Sequence, residues 1–432
     1  MRRVNHGETL RSNRLRPRSF GFVILPFGIT SITLTLIISR LAVCLFIALL
    51  SGTTSLVVAQ PAPMLAARAW MLVDGMSGAR LAAFEPTARL EPASLTKLMT
   101  AYVVFSALNE NRIALSDTVT VSPAAFAAPG KAAARMYLEP GLEVSVDQLL
   151  RGMLTVSASD AAVALAEHSA GTVDAFVERM NAEVRRLGMA NTHFSNATGQ
   201  SDAQNYSSAE DLAILARRLL TDFPQHASLF AQREFAYNNV SQTNRNRLLW
   251  TDSHVDGMKT GQLSASGWSV VATTARAQGE GEHAFQRRLI AVVLGAASDA
   301  SRTQETLRLI NYGYAAFDTV QVYRRGHVLA KPVIWKGDRG VVPVGVDRDV
   351  YVTVPSGELR RLGSEPLKSL IERPDPLVAP LQQGETVGRM IISAGGRHVA
   401  EVPVVALEKV ESGGLLRRAY DAIVLWWRKR NG

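Results

Sequence analysis

The chain has 432 residues, 47% of them apolar, which is enough for two or three packed cores and too much for a disordered polypeptide. Its formal net charge of +9 sits at the ends: residues 1–59 hold seven Arg against one Glu, and residues 412–432 hold five Lys and Arg against Asp421, so the span between is close to neutral. Basic clusters that adjoin apolar segments point to a membrane surface and argue against a nucleic-acid partner.

Residues 1–59 read as an export signal. A basic stretch ends at Arg18, and two apolar runs, Phe20–Ser39 and Leu41–Ala59, follow on either side of Arg40. Ala59 offers the small residue a signal peptidase needs, just before the polar shift at Gln60-Pro61. Phe20–Ser39 is also long enough to serve as a retained anchor. Cys44 is the only cysteine, so an intramolecular disulfide is excluded. The bulk of Val43 and the apolar residues beyond Cys44 argue against a lipoprotein cleavage box.

The next part opens with a hairpin pattern: a strand-like Ala69–Val73, turn residues Asp74-Gly75 and Ser77-Gly78, and a returning Arg80–Phe84. Helical periodicity dominates from Ser94 to about Leu220. Strand-like runs return at Gly267–Thr274 and Arg288–Leu294, and a helix over Arg302–Phe317 should pack on them. Strands at both ends with helices between predict an α+β domain over 60–319, built on one antiparallel sheet that is completed late in the chain. From residue 320 the composition changes to short Val-rich runs separated by Gly, Pro or Asp: Val320–Tyr323, Val328–Trp335, Val341–Val344, Asp349–Val354, Thr386–Ser393 and Val399–Leu407. This predicts a small β-sandwich domain over 320–411. The tail, 412–432, places Leu415, Leu416, Ala419, Tyr420, Ile423, Trp426 and Trp427 at helical spacing, flanked by Arg417, Arg418, Arg428 and Lys429, as an interfacial membrane helix would. The plainer reading is a helix docked on its own domain.

Three short elements carry chemistry. The first is Pro92-Ala93-Ser94-Leu95-Thr96-Lys97. On a helix Ser94 and Lys97 lie one turn apart, and a serine becomes a useful nucleophile when a base takes its proton. A lysine held neutral by burial or by a second cation can be that base. The second is Ser157-Ala158-Ser159-Asp160. It follows a capping box, Ser145 with Gln148, and precedes another helical run, so it belongs at a helix–helix corner that can present Ser157 to a cleft. The third is Lys259-Thr260-Gly261, where Thr260-Gly261 on a strand offers a flat edge for an extended peptide and Lys259 a fixed positive charge. Each element alone is weak.

In this order and together they resemble the signature of serine β-lactamases and penicillin-binding proteins. The flanking PASLTKLMTAY (92–102), Asn196-Ala197-Thr198-Gly199, Tyr206–Asp211, Asn244–Trp250, Arg288–Gly295 with Arg302, and Asn311–Tyr314 narrow the resemblance to D-alanyl-D-alanine carboxypeptidases of low molecular mass, over residues 66–432. The resemblance implies that Ser94 attacks the carbonyl between two D-alanines and that Lys97 accepts its proton. It further implies that Ser157 relays a proton to the leaving D-alanine, and that backbone amides of Ser94 and Gln262 form the oxyanion hole. Lys259, Thr260 and Arg302 would face the terminal carboxylate, with Arg245 a further basic position near the cleft. Substrates would be peptidoglycan stem peptides ending in D-Ala-D-Ala, with β-lactams as covalent ligands and no cofactor or metal. The protein would work at the periplasmic face of the cytoplasmic membrane, held there peripherally by its tail.

Two departures qualify the resemblance. Ser159 stands where the family usually has Asn, and a shorter hydroxyl is expected to need a water to bridge to its partners. Gln262-Leu263-Ser264 replaces an aromatic or His followed by Thr, which should tune specificity, because the contact there is backbone. Ser159 is the one feature that suggests a non-catalytic penicillin-binding scaffold. A class A β-lactamase needs a carboxylate for deacylation; Glu178 has a suggestive spacing to Asn181 but falls in a regular helical run, Val173–Leu187, and reads as helix surface.

Overall fold

The structure is a computed structural model that describes residues 61–129, 134–281, 284–364 and 366–431. The export-signal reading of 1–59 and the reading of Cys44 lie outside the described residues.

The chain enters with a hairpin, β1 (Ala69–Asp74) and β2 (Arg80–Phe84). A helical layer follows, with α1 (Lys97–Asn109), α2 (Val146–Thr155), α3 (Ser159–Ala170), α4 (Val173–Leu187) and α5 (Ala209–Asp222) as its main members. Then come β3 (Val255–Leu263), β4 (Gly267–Gln278), β5 (Phe285–Ala296) and α6 (Asp299–Ala316). The strands form one antiparallel sheet in the order β2-β1-β5-β4-β3, uniting early and late strands as the sequence predicts, with the first hairpin paired to the last strand.

Period-two alternation divides the core. Met71, Val73, Ile290, Val292 and Leu294 face the helical layer, while Trp70, Leu72, Leu289, Ala291 and Val293 face the other side with Leu309 and Ile310 of α6. Helix α1 is apolar on every side and buried from Lys97 to Phe105, as a central helix must be. The capping box that opens α2 is present: Gln148 N donates to Ser145 Oγ at 3.2 Å and Ser145 N to Gln148 Oε1 at 3.3 Å.

Between α6 and the tail the chain is mostly β, with one short helix, Glu358–Arg361. Its largest sheet has five strands, among them Leu367–Glu372, Thr386–Ala394 and Arg397–Ala406. Two differences from the sequence reading have simple causes. The run Val328–Trp335 is two short strands, Val328–Ala330 and Ile334–Trp335, because Pro332 lacks a ladder donor. The strand Leu367–Glu372 went unanticipated: it lies at a sheet edge, Leu370 is exposed, and its pattern alternates poorly.

A polar knot ties the two parts together. Asp74, fully buried at the end of β1, accepts from Arg287 Nε at 3.0 Å, from Thr319 Oγ1 at 2.6 Å, and from Met76 N and Ser77 N at 3.0 Å each. Arg287 also donates to the Phe317 carbonyl at 2.6 Å, and Ser77 and Thr319 hydroxyls both meet Thr353 Oγ1. Every oxygen and most donors of this buried ion pair are thus satisfied, the condition under which such a pair fixes geometry without a large penalty.

The tail forms α7 (Leu415–Asn431), and it docks through its polar stripe. Asp421 is buried and accepts from Lys336 N at 2.6 Å; Arg417 donates to the Arg339 carbonyl at 3.0 Å; the Arg428 guanidinium lies 5.5 Å from the Trp335 ring centre. Leu415, Leu416, Tyr420, Ile423, Trp426 and Trp427 are exposed, from 60 to 89%. The docked-helix reading therefore holds for the polar face only. No described helix is long and apolar enough to cross a membrane.

Candidate active site

Ser94 is the second residue of a short 3-10 turn, Ala93–Thr96, that runs directly into α1. The turn is shaped from outside. Ala93 holds a φ of 53°, in the left-handed region that side-chain-bearing residues seldom adopt. Two glycines press on it. A Cβ at Gly199 would lie 1.8 Å from the Ala93 carbonyl oxygen, and one at Gly261 would lie 2.8 Å from that of Pro92. Gly199 is held by Asn196, whose Oδ1 accepts from Thr198 N at 3.1 Å and Gly199 N at 2.7 Å. Gly261 was expected to leave a flat spot for a peptide; its more immediate use is to let β3 approach the serine-bearing turn. β3 is an edge strand of the sheet, so its outer side can still pair with an extended ligand.

Lys97 is fully buried. Its Nζ lies 3.4 Å from Ser94 Oγ and 3.3 Å from Ser159 Oγ, and donates to the Thr198 carbonyl at 2.6 Å. Burial pushes its amine down to about 7, opposed by the carboxylate of Asp160 and helped by Arg245. The direct contact of Ser159 with Lys97 corrects the expectation of a water bridge: the start of α3 comes close enough for a hydroxyl to reach.

Ser157 sits in the corner between α2 and α3, as its sequence context predicts, with a φ of 70°. Its Oγ is buried and has no hydrogen-bond partner among the described residues. Lys259 was read as a fixed charge that keeps Lys97 neutral. The structure revises this: burial drives Lys259 itself well below the usual lysine range, and Lys97, Arg245 and Arg302 push the same way. The two ammonium groups oppose each other inside a cationic site.

Ser94 stands between two pockets, and Arg245 and Gln262 border both. The first is lined by Ser157, Thr260, Gly261, Arg247, Trp268 and Arg302. The second is lined by Pro129, Ala134, Ser159, Thr198, Gln200 and Leu263. Arg302 is buried, donates to the carbonyls of Ser269 and Arg245 at 3.3 Å each, lies 5.3 Å from the Trp268 ring centre, and forms an ion pair with Asp299. Asp299 also pairs with Arg247 at 2.8 Å. The first pocket thus has surplus positive charge suited to a carboxylate, and the second is wider in chemistry. Glu178 is exposed on α4, where a helix-surface residue belongs.

Every site residue read from the sequence comes to this one cleft. Missed were the Thr198 carbonyl, Gly199, Trp268, the Arg247–Asp299 pair and Asp160. Thr198 and Gly199 fell inside a segment singled out for resemblance, but their work is done by backbone, which residue type does not announce. No group of His, Cys, Asp and Glu among the described residues is placed to hold a metal.

Comparison with known proteins agrees with this geometry. Residues 56–298 match the family profile described as D-alanyl-D-alanine carboxypeptidase, and residues 317–412 match the C-terminal domain of penicillin-binding protein 5. The D-alanyl-D-alanine carboxypeptidase DacC of Escherichia coli (strain K12) is 38% identical over 370 residues, 84% of this chain and 89% of that protein. DacF of Bacillus subtilis (strain 168) is 30% identical over 81% of this chain and 87% of its own. The solved structure of penicillin-binding protein 5 from Haemophilus influenzae is 35% identical, covers 82% of this chain and 99% of its own, and superposes with a TM-score of 0.72. Penicillin-binding protein D2 of Listeria monocytogenes in its ampicillin-bound form covers 59% of this chain at 26% identity, with a TM-score of 0.51.

Proposed function

We propose that this chain, which belongs to the D-alanyl-D-alanine carboxypeptidase family, removes the terminal D-alanine from peptidoglycan stem peptides through an acyl-enzyme on Ser94. The observation that carries the reading is a fully buried lysine amine, pushed down to about 7, 3.4 Å from a half-buried serine hydroxyl. Such an amine is neutral over a useful range and can accept the Ser94 proton as Oγ attacks the penultimate D-alanine carbonyl. Backbone amides of Ser94 and Gln262 stabilise the oxyanion. The C–N bond then breaks, and the proton taken up by Lys97 reaches the leaving amine through Ser157, whose hydroxyl is buried without a partner among the described residues and so is free to relay it, gaining one proton as it gives one. Water hydrolyses the resulting ester and frees Ser94. A β-lactam acylates the same oxygen.

The leaving D-alanine carboxylate sits in the pocket of Thr260, Lys259 and Arg302. An anion there favours the charged form of Lys259, against the burial and neighbouring cations that lower it. Arg245 borders both pockets and adds to the same field.

The protein is exported and acts at the periplasmic face of the cytoplasmic membrane, held peripherally by α7. Supporting this are the exposed apolar stripe of α7 and the cations Arg418, Lys429 and Arg430 beside it. Burial of such a stripe in an interface contributes about 25 cal/mol per Å², and each cation near anionic lipid about 1 kcal/mol.

The test is release of D-alanine from a diacetylated Lys-D-Ala-D-Ala peptide. Wild type should release it and Ser94→Ala should not, and mass spectrometry should place a penicillin adduct on Ser94. Stoichiometric labelling without D-alanine release would leave only a binding scaffold, and an adduct on another residue would end the Ser94 assignment.

A further inference from the structure

The second pocket, lined by Ser159, Thr198 and Leu263 and left for the acyl side of the substrate once the leaving carboxylate takes the first, has a wall that none of the catalytic elements supplies. Segment Ala134–Leu138 has no regular structure, and Ala134 lines the pocket beside Ser94 and Ser159. The segment is fastened along its length. Met136 N donates to both oxygens of Asp160, at 3.0 and 2.9 Å, and Leu138 N donates to Oδ2 at 3.2 Å. The Ala134 carbonyl accepts from Ser159 N at 2.9 Å, and the Arg135 carbonyl from Gln242 Nε2 at 3.1 Å, on the hairpin formed by Glu234–Tyr237 and Val240–Thr243. Asp160 is 2% exposed and adjoins Ser159, whose hydroxyl reaches Lys97.

We propose that Asp160 is a positioning residue for this reaction: its buried carboxylate ties the Ala134–Leu138 wall to the first turn of α3 and so holds Ser159 and Lys97 in register with the acyl-side pocket. This rests on the carboxypeptidase reading above. Amide bonds to an ionised acceptor are about twice as strong as neutral ones, so two loop amides on one carboxylate make a firm fastening.

The same carboxylate acts on the base. Lys97 is faced by Asp160 from α3 and by Arg245 from the segment ahead of β3, and Lys259 approaches from β3. Tyr237 on the hairpin also senses Asp160; burial, and then this carboxylate, raise its phenol. Asp160 is the acid of this set and pulls Lys97 upward, against burial and Arg245. Without that pull the lysine would stay neutral to lower pH but would be a weaker base, and general-base efficiency is best when the pKa lies near the working pH.

Asp160→Asn keeps the shape and removes the charge. In the full-length protein the rate of acylation by a fluorescent penicillin is followed against pH, and hydrogen exchange of the Met136 and Leu138 amides is measured. We expect the ascending limb to move down by about one pH unit, the plateau rate to fall, and both amides to exchange at least ~10-fold faster. A slower enzyme with an unmoved limb would reduce Asp160 to a structural residue and overturn the proposal. If the variant does not fold, wild type alone decides: fast exchange at Met136 and Leu138, outside the slow class of α3, overturns it, and slow exchange supports it. A wild-type protein that penicillin does not label would overturn the carboxypeptidase reading, and this inference with it.

Discussion

Gly199→Ala should disable acylation while leaving the protein folded. Two costs meet at this position. The backbone has a φ of 79°, which costs an alanine roughly 1–2 kcal/mol. The larger cost is steric, because the new Cβ would lie 1.8 Å from the Ala93 carbonyl oxygen and 2.9 Å from Ser94 N, while ordinary contact begins near 3.4 Å. Both neighbours are backbone, so the serine-bearing turn and the 196–199 segment must move apart by more than an ångström. Misplacement of a reacting group by about 1 Å can cost ~10²-fold in rate, and here the same movement loosens the Thr198 carbonyl from Lys97. The expected result is acylation slowed by ~10²-fold or more, with stability lower by about 1–3 kcal/mol. Stopped-flow labelling with a fluorescent penicillin, alongside a urea titration, measures both. Gly171→Ala is the control: its φ is 84° but a Cβ there meets nothing within 4 Å, so it should share the strain and keep the rate. If Gly199→Ala acylates within threefold of wild type, the clamp does not position Ser94.

Acylation should rise with pH through about 7 and then level off, because the active form of Lys97 is the one that has lost its proton and burial has brought that loss down from the ordinary lysine value; a limb centred near 10, or full activity in Lys97→Arg, would remove the general-base role. Ser159→Ala gives up a 3.3 Å contact with Lys97 and should cost about 0.5–1.5 kcal/mol, or roughly 2- to 10-fold in acylation, whereas Ser159→Asn should preserve or raise the rate, and a tenfold drop would mean the cleft has adapted to serine. In a protein that begins at Gln60, deletion of 413–432 should abolish flotation with anionic vesicles and leave hydrolysis of a soluble peptide intact. Flotation that survives the deletion would move the lipid contact elsewhere, and lost activity would make α7 part of the fold.

The sheet and the catalytic set were legible because their signals are local. Short apolar runs bounded by turn residues mark β1 and β5, and Ser94, Lys97, Ser157 and Lys259 announce themselves by type and spacing. What stayed hidden depends on partners distant in the chain. Asp74 reads as a turn residue beside Gly75, yet it is a fully buried acceptor for Arg287 and Thr319, more than 200 residues away. Asp160 reads as an N-terminal helix acid, and its loop amides are more than 20 residues upstream. The charge on Lys259 was misjudged for a related reason: a sequence gives the residue its formal charge, and only packing shows how much the surroundings oppose it.

The knot at Asp74 and the docking of α7 through Asp421 together turn the molecule into a stand. A serine on a flexible tether would search a hemisphere. Here α7 is fastened to the β domain through Asp421, and Thr319 and the Phe317 carbonyl, at the start of the β domain, bond to the buried Asp74–Arg287 pair of the sheet, so a chain of hydrogen bonds joins stripe to sheet. On the proposal that the stripe lies on lipid, the β domain is the spacer that sets the distance from that surface to the cleft.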